Sequence, residues 1–328
     1  MDRLNNMPRE KDIYPIIAEE LRKIDFPFPI IDEFGIKLDD YNRRIDVFGC
    51  RWDSGGHNIE TIGIEAKYLP DESINREFSQ GLSQCIDYLP FFKYVGLCGR
   101  EGDIGQHWEE IRTELTINRV TADLKISKAW LPNELIECKF NNKDFLKQIL
   151  LRSSMILSFC EAFKDREIKH GEFRNGGGWL AVNFKNNLQI NTWYEEKTKW
   201  VYLGVNMEKK EPFINLIKNL TVEDKNQLKA HFEENDGRTM FLRFCKDKRT
   251  APTKTIWEGK SLSEMGNKEI DDLIYKIKET LGEKGWRPHI TIYVKLWDMV
   301  KDKQWHENKI DEEKNKLIKF IEFFEKLV

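Results

Sequence analysis

Asp46 in RRIDVFG, with Glu65 and Lys67 in IGIEAK, are the residues whose types and spacing could do chemistry. In an extended segment successive side chains point to opposite faces, so Glu65 and Lys67 share one face while Ile64 and Ala66 take the other. The same alternation sets Asp46 against Ile45 and Val47. If residues 43–48 and 59–67 pair as a hairpin about the glycine-rich tip DSGGHN, a second carboxylate comes beside the first, with an ammonium one pleat away. Two carboxylates a few ångströms apart repel unless a cation separates them. Mg²⁺ is hard and oxygen-seeking, and it keeps waters for a substrate phosphate. A neighbouring lysine can orient or deprotonate an attacking water and neutralise charge on a phosphoryl group. This is equipment for hydrolysing a phosphodiester.

The elements that must position these groups can be read from periodicity. Residues 10–24 carry Ile13, Ile16, Ile17, Leu21 and Ile24 at helical spacing, with Pro15 tolerated in the first turns. The predicted hairpin follows, then a helix over 77–92 and a buried strand over 94–98 (YVGLC). Helix, strands, helix and strand within a hundred residues define a compact α/β module. It continues through an expected helix at 107–115 and strand at 120–126, giving a first domain of residues 1–140. A connecting helix is predicted within 141–165. An α+β domain over 166–328 follows, with strands at 179–184, 188–194 and 199–205. Helices at 211–220 and 222–234, a strand at 239–245, a helix at 268–281, a strand at 289–296 and a helix at 307–327 complete it.

The order of elements and the Asp46…Glu65-x-Lys67 pattern resemble the PD-(D/E)XK nuclease superfamily, whose core is helix, three-strand meander, helix, strand. The likeness covers roughly residues 8–100, and Ile45 stands where that family often has Pro. Gln84 and Tyr88 (QCIDY) resemble the Q-x-x-x-Y element of some branches. The resemblance implies a restriction-endonuclease-like fold and a Mg²⁺-dependent DNA endonuclease (Mn²⁺ able to substitute) that acts by metal-activated water. It further implies that Asp46, Glu65 and the Ala66 backbone carbonyl hold the metal and that Lys67 positions the water. Glu10 on the first helix would support the site, with Glu20 and Glu19 as fallbacks, Gln84 would orient Lys67 or the substrate, and Tyr88 would be an accessory group. Folds of this kind often serve in restriction or phage defence. One such site cuts one strand, so a homodimer or larger complex would cut both. Two alternatives stand beside this reading: a catalytically silent nucleic-acid-binding or assembly protein, and a nuclease subunit active only within a larger defence or transposition complex.

The remaining signals bear on partners and location. Arg243, Lys246, Lys248, Arg249 and Lys254 cluster around a Pro-containing stretch that reads as a loop suited to phosphate contacts. Trp193, Trp200 and Trp257 are candidates for base stacking. The six cysteines and six histidines form no C-x-x-C or H-x-x-x-H pattern, which argues against a structural zinc site or a disulfide framework. Within a net charge of −3 the first 140 residues are acidic and the remainder basic. With no apolar run of about 18 residues and no apolar leader, no membrane span is expected, and a cytoplasmic location is.

Overall fold

Tyr14, Ile17, Ala18 and Leu21 recur at the spacing of one helical face, and helix α1 (Tyr14–Lys23) buries all four. The predicted stripe is rotated, because Ile16 lies 59% exposed. The structure is a computed structural model, which describes residues 10–31, 33–38, 41–67, 74–88, 91–98, 120–121, 125–126, 143–207, 221–224, 226–227, 240–248, 251–257, 268–269, 271–272, 275 and 288–327. The chain divides into two units. The first comprises Met1–Leu157, Gly171–Gly178 and Met299–Gln304, and the second comprises Ser158–His170, Trp179–Asp298 and Trp305–Val328.

In the first unit, strands β1 (Phe34–Leu38) and β2 (Tyr41–Ile45) form a two-stranded antiparallel sheet of their own. The chain bends at Asp46 and re-enters as β3 (Val47–Trp52), which pairs antiparallel with β4 (Ile59–Ala66) across a turn at 53–58. Helix α2 (Ile74–Tyr88) then crosses over to β5 (Tyr94–Cys98), which lies parallel to β4. Short strands β6 (Val120–Thr121) and β7 (Lys125–Ile126) complete a sheet of order β3-β4-β5-β7-β6. The unit is therefore mixed α/β.

Two expectations need correction here. Residues 43–48 are not one strand, since Asp46 interrupts them, and the third strand of the expected meander sits in a separate sheet. The expected helices at 107–115 and 211–220 lie outside the described residues.

β4 is buried along most of its length and has a helix on each side. Ile62, Ile64 and Ala66 join Val47 and Phe26 in a core with Tyr14, Ile17 and Leu21 of α1. On the opposite face, Gly81 of α2 approaches Lys67 and Leu97 so closely that a Cβ there would lie 2.9 Å from the Lys67 Cγ. Glu60 accepts from Arg51 at 2.8 Å and pairs with Lys93, joining β3, β4 and the approach to β5.

The long helix α3 (Lys143–Ala162) brings Arg152, fully buried, into the first unit. Its guanidinium donates to the carbonyls of Gly35 and Phe173, each at 2.6 Å, and lies 3.6 Å from the Phe34 ring centroid. The 171–178 segment contains a 3-10 turn at Phe173–Asn175 whose phenylalanine is buried.

The second unit holds a seven-stranded sheet of order β13-β12-β14-β11-β10-β9-β8. The strands are β8 (Ile168–Gly171), β9 (Trp179–Asn183), β10 (Leu188–Glu195), β11 (Trp200–Met207), β12 (Met240–Lys248), β13 (Ala251–Trp257) and β14 (Pro288–Trp297). Along β10 buried and partly exposed residues alternate. Helix α4 (Lys303–Leu327) buries Ile310, Leu317, Phe320, Ile321 and Phe324.

A side chain at position 35 would test how tightly the Arg152 region is built. A Cβ on Gly35 would fall 2.0 Å from the backbone carbonyl oxygen of Arg174. Gly35→Ala should cost about 3 kcal/mol of folding free energy, read as a lowered urea midpoint at unchanged slope. A wild-type midpoint would contradict this reading of the close approach.

Candidate functional site

The last antiparallel pair of the β3–β4 ladder is Val47 with Ile64. Beyond it β4 runs on through Glu65 and Ala66 with no β3 residue opposite, because the chain has bent away at Asp46. A backbone N–H left there must find another acceptor. It finds the Asp46 side chain, whose Oδ2 accepts from the Ala66 N–H at 2.7 Å. On the other edge, the Lys67 N–H donates to the Cys98 carbonyl at 2.8 Å. Successive residues of a strand turn their peptide groups to opposite edges, so the Ala66 carbonyl shares the Asp46 edge.

Asp46 is held by a second donor. The Tyr14 hydroxyl, from α1, donates to Oδ1 at 2.7 Å. Glu65 and Lys67 project to the α2 face and pair there, the ammonium donating to Glu65 Oε1 at 2.7 Å. Glu65 is only 2% exposed, and its Oε2 is buried with no direct hydrogen bond, the Tyr88 hydroxyl lying close to the carboxylate while its proton goes to the Arg44 carbonyl. An unpaired carboxylate oxygen away from water is costly, and either a proton or a cation relieves that cost.

The electrostatics follow from burial. Loss of solvent, reinforced by the charge on Asp46, pushes the Glu65 carboxyl up to about 7. Burial also raises Asp46, against the pull of the Ala66 N–H and the Tyr14 hydroxyl. For Lys67, burial disfavours the charged form, but the hydrogen bond and charge of Glu65 outweigh it, so the ammonium is retained above its usual range. Lys67 is therefore an N–H donor toward Glu65.

The other sequence-predicted residues distribute as follows. Glu10 sits in a 3-10 turn just before α1, half-buried, within electrostatic reach of Lys67 and Asp46, and burial raises its pKa. Glu20 is exposed and paired with Lys23 at 2.6 Å, and Glu19 is exposed, so neither is brought to the site. Gln84 is on α2 with its Oε1 buried and unpartnered. Tyr88, 1% exposed, donates to the Arg44 carbonyl at 2.6 Å, and the nearby charges of Glu65 and Asp46 add to burial in raising its pKa.

Sequence reasoning missed Tyr14 and Gly81. A tyrosine one turn from Ile17 and two from Leu21, at helical spacing, was the available signal for Tyr14. Gly81 carried none, since its role is the room it leaves for Lys67.

The basic stretch in the second unit is not a loop. Arg243, Lys246 and Lys248 lie in β12 and Lys254 in β13, the two strands forming a hairpin with Lys246 opposite Lys254. Arg249 lies outside the described residues. Trp193 stacks on Tyr202 with centroids 5.3 Å apart and meets Tyr293 edge-on, so its ring is engaged within the sheet. The Lys295 ammonium stands 5.5 Å from the Trp200 ring centroid.

The oxygen donors at the β4 edge are of the kind a hard divalent cation takes. The unpaired Glu65 Oε2, the Asp46 carboxylate and the Ala66 carbonyl are all oxygen donors, the type Mg²⁺ takes while keeping several waters. Among the described residues no group of three His, Cys, Asp or Glu could hold a metal by side chains alone. Comparison with protein-family models, with curated proteins and with solved structures found no match. No helix among the described residues is long and apolar enough to cross a membrane.

The Glu65 shift has a measurable sign. Its carboxyl binds a proton more tightly folded, near 7, than at the ordinary value of 4.5. Its contribution to stability is therefore full below about pH 4.5 and is lost as pH rises through 7, a difference of about 3 kcal/mol. Lys67, raised as a base, loses its contribution only at far higher pH. In EDTA, urea unfolding should show stability falling from pH 5 to pH 8 in the wild type, with a shallower fall in Glu65→Gln. Parallel pH profiles for the two proteins would contradict the assignment.

Proposed function

We propose that this chain is a divalent-metal-dependent nuclease of the restriction-endonuclease-like kind, cutting DNA by phosphodiester hydrolysis at the β4 edge. One observation carries the reading: a buried carboxylate oxygen of Glu65 without a direct hydrogen bond, on a strand end that also carries Asp46, Lys67 and the free-edge Ala66 carbonyl.

Asp46, Glu65 and the Ala66 carbonyl would hold Mg²⁺, or Mn²⁺ in its place. When bound, the ion lowers the pKa of water and neutralises phosphate charge. The residues of the chain supply the rest. Lys67, kept protonated by Glu65, offers N–H donors that orient water and a positive charge that favours the developing negative charge on phosphorus-bound oxygens. Gly81 lets α2 lie against the Lys67 stem and fix it. Gln84 has an unpaired buried oxygen with which to orient a donor, from Lys67 or from substrate.

A silent nucleic-acid-binding or assembly protein is the second reading. It is favoured by the fact that both Asp46 oxygens and Glu65 Oε1 already accept hydrogen bonds within the chain. Salt-sensitive DNA binding with no metal-dependent cutting would select it. A subunit active only in a larger complex would regain cutting on reconstitution with its partners, and a homodimer would be seen in solution mass.

The discriminating assay incubates DNA with wild-type, Asp46→Ala and Lys67→Ala proteins in Mg²⁺ or EDTA. Cutting should require Mg²⁺ and fall by about 10²-fold or more in each variant. Equal cutting by all three, or cutting in EDTA, would eliminate the proposal. Gly81→Ala removes no functional group but crowds Lys67. It should slow Mg²⁺-dependent cutting by about tenfold, since small misplacements are costly to positioned groups. An unchanged rate would show that the glycine does not set the position of Lys67.

A further inference from the structure

We propose that Tyr14 is the positioning residue of this site, its hydroxyl fixing the Asp46 carboxylate in the orientation that receives the cation. The inference rests on the metal-dependent reading above and adds to it a residue contributed by α1. Tyr14 stands on the buried face of α1 and is 5% exposed, packed among Ile17, Leu21, Val47, Ile64 and Ala66. Its ring is therefore immobilised on the hydrophobic side of β4. Only the hydroxyl leaves that core, and it donates to Asp46 Oδ1 at 2.7 Å.

The geometry matters because Asp46 is a bend residue. No strand neighbour fixes its side chain, so two donors do so: the Ala66 N–H on Oδ2 and the Tyr14 hydroxyl on Oδ1. One donor alone leaves a carboxylate free to rotate about that contact. Two donors on its two oxygens set the plane of the group, and each oxygen keeps a further lone pair. Through Tyr14, the seating of α1 on the sheet is transmitted to the ligand oxygen. Partners that orient a metal ligand commonly set affinity by 10–100-fold.

The test titrates Mn²⁺ alone into the full chain by calorimetry, without DNA. Wild type, Tyr14→Phe and Ile17→Val are compared at one pH. Tyr14→Phe keeps the ring in the α1 core and deletes only the donor. Ile17→Val loosens the same core and leaves the donor. The expected result is a Kd for Mn²⁺ about tenfold higher in Tyr14→Phe and unchanged in Ile17→Val. In parallel, the Mg²⁺ concentration for half-maximal cutting should rise about tenfold in Tyr14→Phe, while the rate at saturating Mg²⁺ stays within about threefold. Equal Kd values for wild type and Tyr14→Phe would overturn the role of Tyr14 while leaving the nuclease reading intact. Equal weakening in both variants would also overturn it, reducing Tyr14 to a core residue. A wild type that takes up no Mn²⁺ would overturn both.

Discussion

The β4 edge gathers the Asp46 and Glu65 carboxylates, with Glu10 in electrostatic reach, around the single ammonium of Lys67, and that excess of acid is the constraint on which the site depends. Glu65 and Lys67 pair at 2.7 Å on the α2 face, while Asp46 is held by the neutral Ala66 and Tyr14 donors and the second Glu65 oxygen has no direct hydrogen bond. Burying an unpaired charge costs several kcal/mol, so such a group either takes a proton or acquires a cation. The upward shifts of Glu65 and Asp46 express the first outcome, and a bound divalent ion would be the second. Protons and a bound metal would therefore compete for the same oxygens.

What makes the imbalance possible is a strand that outlasts its partner. β3 stops pairing at Val47, and β4 carries on through Ala66. The Asp46 side chain completes the ladder where the backbone does not, so a structural need and a candidate ligand position coincide in one carboxylate. The two helices then divide the work. α1 supplies the hydroxyl on Asp46, and α2 supplies the close surface that covers Glu65 and Lys67. Neither contact would survive a one-residue slip of β4, which would exchange its two faces.

Much of this was legible in the sequence because strand alternation is strict. That Glu65 and Lys67 share a face, with Ile64 and Ala66 behind them, follows from period two alone. Likewise β5, α3 and the strands around 179–207 were visible as apolar or alternating runs. The bend at Asp46 was not legible, since RRIDVF reads as an unbroken strand and only the side-chain bond to Ala66 reveals why it breaks. Tyr14 was obscured by a helix stripe drawn through Ile16, which the structure leaves exposed. β13 was missed because Pro252 suggests a loop, yet proline is tolerated on an edge strand, and β13 is the edge of its sheet.

The most direct measurement of the central claim is the anomalous scattering of a crystal grown with Mn²⁺. The account predicts one strong peak at the β4 edge, within coordination distance of Asp46, the Glu65 Oε2 and the Ala66 carbonyl. A map with no peak there, with the Glu65 oxygen instead engaged by a protein donor, would contradict it.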